Sequence, residues 1–343
     1  MKMLKALFWL IILLSPLAIQ ANSAQPGFWN AGGTGTFSLL FPEDSVAYKK
    51  VQMVRELVAI QLYPGYAVVK GSYWMHNTTG DSLSLKAGYP LYGSYEPKGQ
   101  YSERLEISFD SLSAMRVRLE GIPIKEYKTE LLPNTQPWQG QWYIFQTHFG
   151  PLDTVLIEVY FILNTNNTSI RQGYGSDESN GFIYLLETGA TWKQPILQGE
   201  VRLQMMGVLD IDDIHGAAPD SVFKIEEGTN TLVYSFSNLA PDNESNIVVA
   251  YSDQVEDFDF GKVIANQDAL YKAIETFAAQ PPSTNLIMAQ FGDPYELHGI
   301  RWNGILFLSV LVVCFIVVPV VCIVLASKFS GAAFRAYKKA TKP

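Results

Sequence analysis

The densest cluster of chemistry-bearing side chains is Leu209-Asp-Ile-Asp-Asp-Ile-His215. Asp210, Asp212 and Asp213 set three carboxylates within four residues, and His215 adds an imidazole. Calcium takes about six to eight oxygen ligands, and alternating aspartates on a loop supply several of them. The run lacks the glycine and the terminal glutamate of an EF-hand loop. A solvated acidic turn after the strand Val201–Met206 is therefore the favoured reading. A Ca²⁺ site at Asp210, Asp212, Asp213 and His215 is its alternative, and no other cofactor is indicated.

Asp253, Glu256, Asp257 and Asp259 form a second acidic run, interleaved with Phe258 and Phe260. It reads as a lead from a strand into a helix, with the rings packed and the acids exposed. Carboxylate pairs also serve glycoside hydrolysis, so an exported hydrolase acting on glycans through Asp or Glu is the alternative function. The motifs of serine hydrolases, zinc proteases, phosphate loops and dinucleotide folds are absent from the sequence. His76, His148, His215 and His298 are the four histidines. His148 sits between aromatics and reads as a strand-end packing residue rather than a base. A non-enzymatic role is favoured. Trp138 and Trp142 flank Gln139-Gly140-Gln141 and offer a binding surface, although most of the 18 Tyr, 19 Phe and 7 Trp suit strand packing.

The elements that must hold these residues read as mainly β. Val58, Ile60 and Leu62 alternate with other residues, Pro64-Gly65 makes a turn, and Ala67, Val69, Gly71, Tyr73 and Met75 resume the alternation. A period of two broken by Pro-Gly predicts a hairpin. Further runs at Leu83–Ala87, Leu105–Phe109, Met115–Leu119, Trp142–Phe145 and Val155–Phe161 predict a first β-sandwich domain over 22–163. The polar stretch 164–180 reads as a linker or long loop. A second antiparallel β-sandwich-like domain is expected over 181–260. Ala269, Leu270, Ala273, Ile274 and Phe277 recur at helical spacing after a capping Asn266, which predicts a docked helix over 261–281.

The two ends set a topology. Lys2 and Lys5, an apolar run Ala6–Leu14 and small residues at Ala21–Ala24 have the order of a secretory signal, assigned to 1–21. A juxtamembrane segment 282–303 leads to Ile305–Ala326, which carries no charge; about 20 such residues cross a bilayer. A transmembrane helix is expected over 304–326. Lys328, Arg335, Lys338, Lys339 and Lys342 follow it, which places the tail 327–343 in the cytoplasm. Removing the two signal lysines and five tail cations leaves 18 basic residues against 33 acidic ones. Nucleic acid is excluded as a partner on that balance. Both cysteines, Cys314 and Cys322, lie in the expected span, so the exported part must rely on its apolar core. The sequons at Asn77, Asn166, Asn167 and Asn243 matter only in a eukaryotic secretory pathway.

Val51-Gln-Met-Val-Arg-Glu-Leu-Val-Ala-Ile-Gln-Leu62 with Ala67–Asn77, and Leu186-Glu-Thr-Gly-Ala-Thr-Trp192 with Tyr234–Pro241 and Asn246–Tyr251, carry a resemblance. Together they resemble uncharacterised bacterial exported, membrane-anchored β-rich ectodomains. The resemblance implies two β domains and an envelope location, and carries over no activity. The sequence thus points to a single-pass membrane protein with a binding, structural or complex-subunit role, held by its C-terminal helix. Its ectodomain would lie outside the cytoplasm of a bacterial inner membrane, facing the periplasm or exterior. A protein or glycan is the expected partner.

Overall fold

Strands that alternate large apolar residues with others must bury one face, and here three sheets bury theirs against each other. In the computed structural model the residues described are 27–35, 45–95, 107–109, 113–124, 128–132, 138–172, 175–220, 222–281, 285–297, 313–320, 323–324, 326–328 and 331. The chain is mainly β. It divides into two units, Met1–Glu296 and Leu297–Pro343.

In the first unit a nine-stranded sheet runs from edge to edge through β19 (Leu286–Met288), β16 (Lys224–Glu226), β17 (Thr231–Leu239), β14 (Ile196–Met205), β3 (Val51–Tyr63), β4 (Tyr66–Asn77), β11 (Thr154–Asn164), β7 (Ser113–Leu119) and β8 (Ile122–Pro123). β14 and β3 run parallel, and the remaining pairs are antiparallel. A six-stranded sheet orders β1 (Gly27–Trp29), β12 (Ser169–Gln172), β13 (Gly175–Leu185), β18 (Ile247–Asp253) and β15 (Ile214–Ala218), with β2 (Gly32–Gly35) parallel to β13. A four-stranded sheet orders β6 (Ile107–Phe109), β5 (Leu83–Tyr95), β10 (Trp138–Phe149) and β9 (Lys128–Leu132).

The hairpin expected at Pro64-Gly65 forms as β3 and β4, with Tyr63 opposite Tyr66. The division at 164–180 does not. Strands from both sides of that stretch share the nine-stranded sheet, because β14 inserts beside β3. One core cluster joins Val58, Ile60 and Phe161 to Phe182, Tyr184 and Val249, so the two expected domains share a single interior. Residues 164–180 themselves supply β12 and the start of β13. Their polarity misled: Thr165 and Thr168 are fully buried, and the Thr165 hydroxyl lies 2.7 Å from that of Tyr251. Polar side chains are tolerated inside when hydrogen-bonded. Two of the sequons are likewise structural. Asn77 Nδ2 donates to the carbonyls of Asp81 and Gly150, and Asn166 bonds both ways with the Val255 backbone.

The outer face of the nine-stranded sheet carries the expected helix. It is two pieces, α2 (Phe260–Ala265) and α3 (Gln267–Ala278), after a single turn α1 (Ser45–Tyr48) earlier in the chain. Asp259 caps α2, whereas Asn266 stands before α3 without a side-chain cap. Leu270, Ile274 and Phe277 recur at i, i+4 and i+7 and bury against Ala59, Val68 and Ile162. Arg202, itself buried, ends the stack: its Nη1 donates to the Gln280 carbonyl at 3.0 Å, and its guanidinium lies 4.7 Å from the Phe277 ring. A cation there suits the negative end of the helix dipole.

The expected signal 1–21 lies outside the described residues, as does most of the tail. Of the second unit, Val313–Val317 forms a π-helical turn continued by helical residues 318–320. Among the described residues no helix is long and apolar enough to cross a membrane.

Candidate functional site

The acidic loop that the sequence offers as a metal centre folds for a different reason. Asp210 caps the short 3-10 turn Ile211–Asp213, its carboxylate accepting from the Asp212 amide at 2.9 Å. Asp213 reaches back to the Asp210 amide at 2.8 Å, which completes a reciprocal capping box. Two of the three carboxylates thus serve their own backbone. His215 lies beyond the turn in β15, and among the described residues no three acidic, His or Cys side chains converge as a metal site. Trp138 and Trp142 are brought into β10, paired with β5. Trp142 is 1% exposed, which corrects its reading as a binding surface: the indole is buried at its position in β10. The Trp138 side chain lies outside the described set. His148 is exposed at the end of β10 rather than packed, with Nδ1 3.1 Å from Ser84 Oγ.

An open concavity is assembled by residues far apart in sequence. Its floor is Ala217 and Ala218 at the end of β15, and one wall is the 3-10 turn Asn243–Ser245 that leads through Asn246 into β18. Asp242 builds this turn as Asp210 builds the other, accepting from the amides of Glu244 and Ser245 at 3.1 Å. The second wall is the segment Phe291–Tyr295, laid across β15. Gly216 permits that approach, since a Cβ there would lie 2.6 Å from Pro294 N. The Ala217 amide donates to the Gly292 carbonyl at 3.1 Å, and Tyr295 packs edge-on against Phe28 at 6.3 Å. The cleft has a volume of about 450 Å³ and opens to solvent. Asp220, Glu244 and Asp293 give it three carboxylates, and Phe291 and Tyr295 give it aromatic faces. Behind the Asn246 side chain, burial raises the Glu187 carboxyl above its ordinary value, against the lowering effect of the Asn246 amide.

The most perturbed acid lies elsewhere, between the sheets. Glu56 is 1% exposed in β3, on the face that also carries Val58, Ile60 and Leu62. Its Oε1 accepts from the Tyr184 hydroxyl at 2.7 Å, while Oε2 is buried and has no hydrogen-bond partner among the described residues. The Tyr73 hydroxyl lies 3.0 Å from that of Tyr184, and Tyr89 donates to Tyr73 at 3.3 Å. Since Tyr184 spends its proton on Glu56, Tyr73 must donate to Tyr184, and the chain of donors runs from Tyr89 to the carboxyl. Burial pushes the Glu56 carboxyl from 4.5 up to about 7, with Tyr184 opposing the shift. Burial and the nearby carboxyl raise the Tyr184 and Tyr73 hydroxyls well above 10.

Sequence reasoning missed both places. The cleft has no local signal, because its walls are three segments separated by long stretches of chain. Glu56 had one: it occupies the inward register of an otherwise apolar strand face. No protein-family model matches the chain, and no curated protein does. Among solved structures it is similar to a candidate nutrient-binding protein of Legionella pneumophila at 12% identity, covering 65% of this chain and 72% of that one with a TM-score of 0.45. It is also similar to an M1 zinc metallopeptidase of Deinococcus radiodurans at 11% identity, covering 59% of this chain and 42% of that one at a TM-score of 0.31. Yeast LTA4 hydrolase matches at 10% identity over 60% and 29%, with a TM-score of 0.29. The chain spans less than half of either hydrolase. Likenesses this loose assign neither a fold family nor an activity.

Proposed function

We propose that this is a membrane-anchored extracytoplasmic protein with a non-enzymatic binding, structural or complex-subunit role in the cell envelope. The observation that carries the binding role is the cleft between β15, the Asn243–Ser245 turn and Phe291–Tyr295. It is open to solvent, of ligand size, and combines three carboxylates with two aromatic walls. That chemistry suits a partner presenting a cationic group beside an apolar or sugar face, on a protein or a glycan.

Anchoring is supported by the charge-free stretch Ile305–Ala326 and the basic residues that follow it. The exposed apolar side chains Phe315, Ile316 and Ile323 within the described part are of the kind lipid would cover. The signal-like start and the resemblance to exported, membrane-anchored ectodomains point the same way. Retention of the full chain in membranes after alkaline washing, with its C-terminus shielded from external protease in intact cells, is the expected result. Release of the chain by the wash removes the anchor from the proposal.

The test of binding is co-purification with the full chain in detergent after crosslinking, compared with an Asp220→Asn, Glu244→Gln, Asp293→Asn triple variant. Loss of specific partners in the variant is expected. An unchanged partner set refutes the cleft as the binding place, and glycan turnover by the purified chain replaces binding with the hydrolase reading.

A further inference from the structure

The hydroxyl chain ending on Glu56 joins the three sheets of the first unit. Glu56 and Tyr73 stand on β3 and β4 of the nine-stranded sheet, Tyr184 on β13 of the six-stranded sheet, and Tyr89 on β5 of the four-stranded sheet. Each side chain is fully buried or nearly so. The packing is built for this chain. A Cβ at Gly71 would overlap the hydroxyl and ring of Tyr73, so the glycine makes the hollow in which that ring lies back along β4. A carboxyl placed where three sheets meet, with one oxygen unsolvated, is stable there in only one charge state.

The groups that face it decide which. From β13 comes Tyr184, from β4 Tyr73, from β5 Tyr89, and Tyr234 of β17 lies close enough to feel its charge. Opposite it on β14 is Gly199, which has no side chain. Arg55 and Leu57 precede and follow Glu56 on its strand and belong to the opposite face, beside the end of α3. Every titratable group named here on the Glu56 side is a phenol, and none offers a positive charge to balance a carboxylate.

We propose that Glu56 is a proton-operated latch: as the neutral acid it lets the three sheets close on one another, and loss of its proton to solvent favours a state in which they part locally. The reaction is a simple ionisation. The carboxyl O–H bond breaks, the proton leaves to water on opening, and the anion keeps its hydrogen bond from Tyr184 or exchanges it for water. The latch is most closed in mild acid. Its set point is consistent with the raised carboxyl described above, and opening is favoured as pH rises from about 4.5 to about 7, levelling above that.

Amide hydrogen exchange of the full chain in detergent, followed by mass spectrometry and corrected for the intrinsic pH dependence of exchange, reads the opening directly. In the wild type, protection over β3, β4 and β13 is expected to fall about tenfold per pH unit across that window and then to level off. Glu56→Gln should hold protection constant across it. Tyr184→Phe, which removes the hydroxyl that donates to the carboxyl, should move the levelling point to higher pH. Flat wild-type protection, or an equal loss in Glu56→Gln, overturns the latch. If Glu56→Gln does not fold, the infrared carbonyl band of a protonated carboxyl in the wild type decides. The proposal requires that band at pH 5.5 and its loss above pH 8, shifted by Tyr184→Phe, and fails if it is missing at pH 5.5 or indifferent to pH.

Discussion

The Tyr184 hydroxyl donates a 2.7 Å hydrogen bond to Glu56 Oε1, joining the six-stranded sheet to the nine-stranded one through a single acid. Because the folded carboxyl sits at about 7 and an ordinary one at 4.5, the folded state holds the proton more tightly. The stability it contributes is complete below pH 4.5 and is lost as pH rises toward 7. The shift corresponds to about 3 kcal/mol in all. Urea unfolding of the wild type and Glu56→Gln between pH 4.5 and 8 should show the variant gaining relative stability by that order as pH rises. A constant difference between the two would contradict the assignment.

Gly71→Ala sets a methyl against the Tyr73 ring at the centre of the same network. Overpacking of this kind costs about 1–3 kcal/mol. The loss should shrink when Tyr73 is replaced by leucine, so a double-mutant cycle in urea yields a coupling energy of the opposite sign to the single losses. Strict additivity would mean that the glycine serves some other purpose.

Phe277 is 2% exposed, packs from α3 onto the nine-stranded sheet and lies against the Arg202 guanidinium. Phe277→Ala should cost about 3–5 kcal/mol. It should also raise hydrogen exchange in α3 ahead of the sheets, since helical stability here comes from the docked face. The surface ion pair Arg116–Asp268 should contribute little by comparison, and Asp268→Asn is expected to shift stability by less than about 1 kcal/mol.

Asp210→Ala removes a helix-cap acceptor and should cost about 0.5–2 kcal/mol by thermal unfolding. The cost should be equal in added calcium and in chelator. A loss seen only with calcium would restore metal binding as the purpose of the loop.

Trp142→Ala should destabilise by about 3–5 kcal/mol, as loss of a buried indole does. Partner binding in the surviving folded fraction should be unchanged. Lost binding at unchanged stability would return this tryptophan to a recognition surface.

Much of the local structure was legible along the chain. Alternation at Val58–Leu62 and Ala67–Met75 around Pro64-Gly65 specified a hairpin, because a strand buries every second residue whatever it packs on. The spacing of Leu270, Ile274 and Phe277 specified a docked helix for the corresponding reason. Local polarity pointed to the wrong domain boundary, since the buried Thr165 and Asn180 find their partners in a distant strand. The parallel pairing of β14 with β3 and the meeting of Glu56 with Tyr184 are likewise contacts between residues more than a hundred positions apart, and the cleft joins three separate segments between Ala217 and Tyr295. Periodicity reports which face of an element is buried, and it is silent on what that face meets. Strands, a helix and the charge pattern of the chain's ends follow from residue order alone. That a glutamate in an apolar register ends a hydroxyl chain through three sheets follows from the packing, because it depends on where strands distant in sequence come to lie.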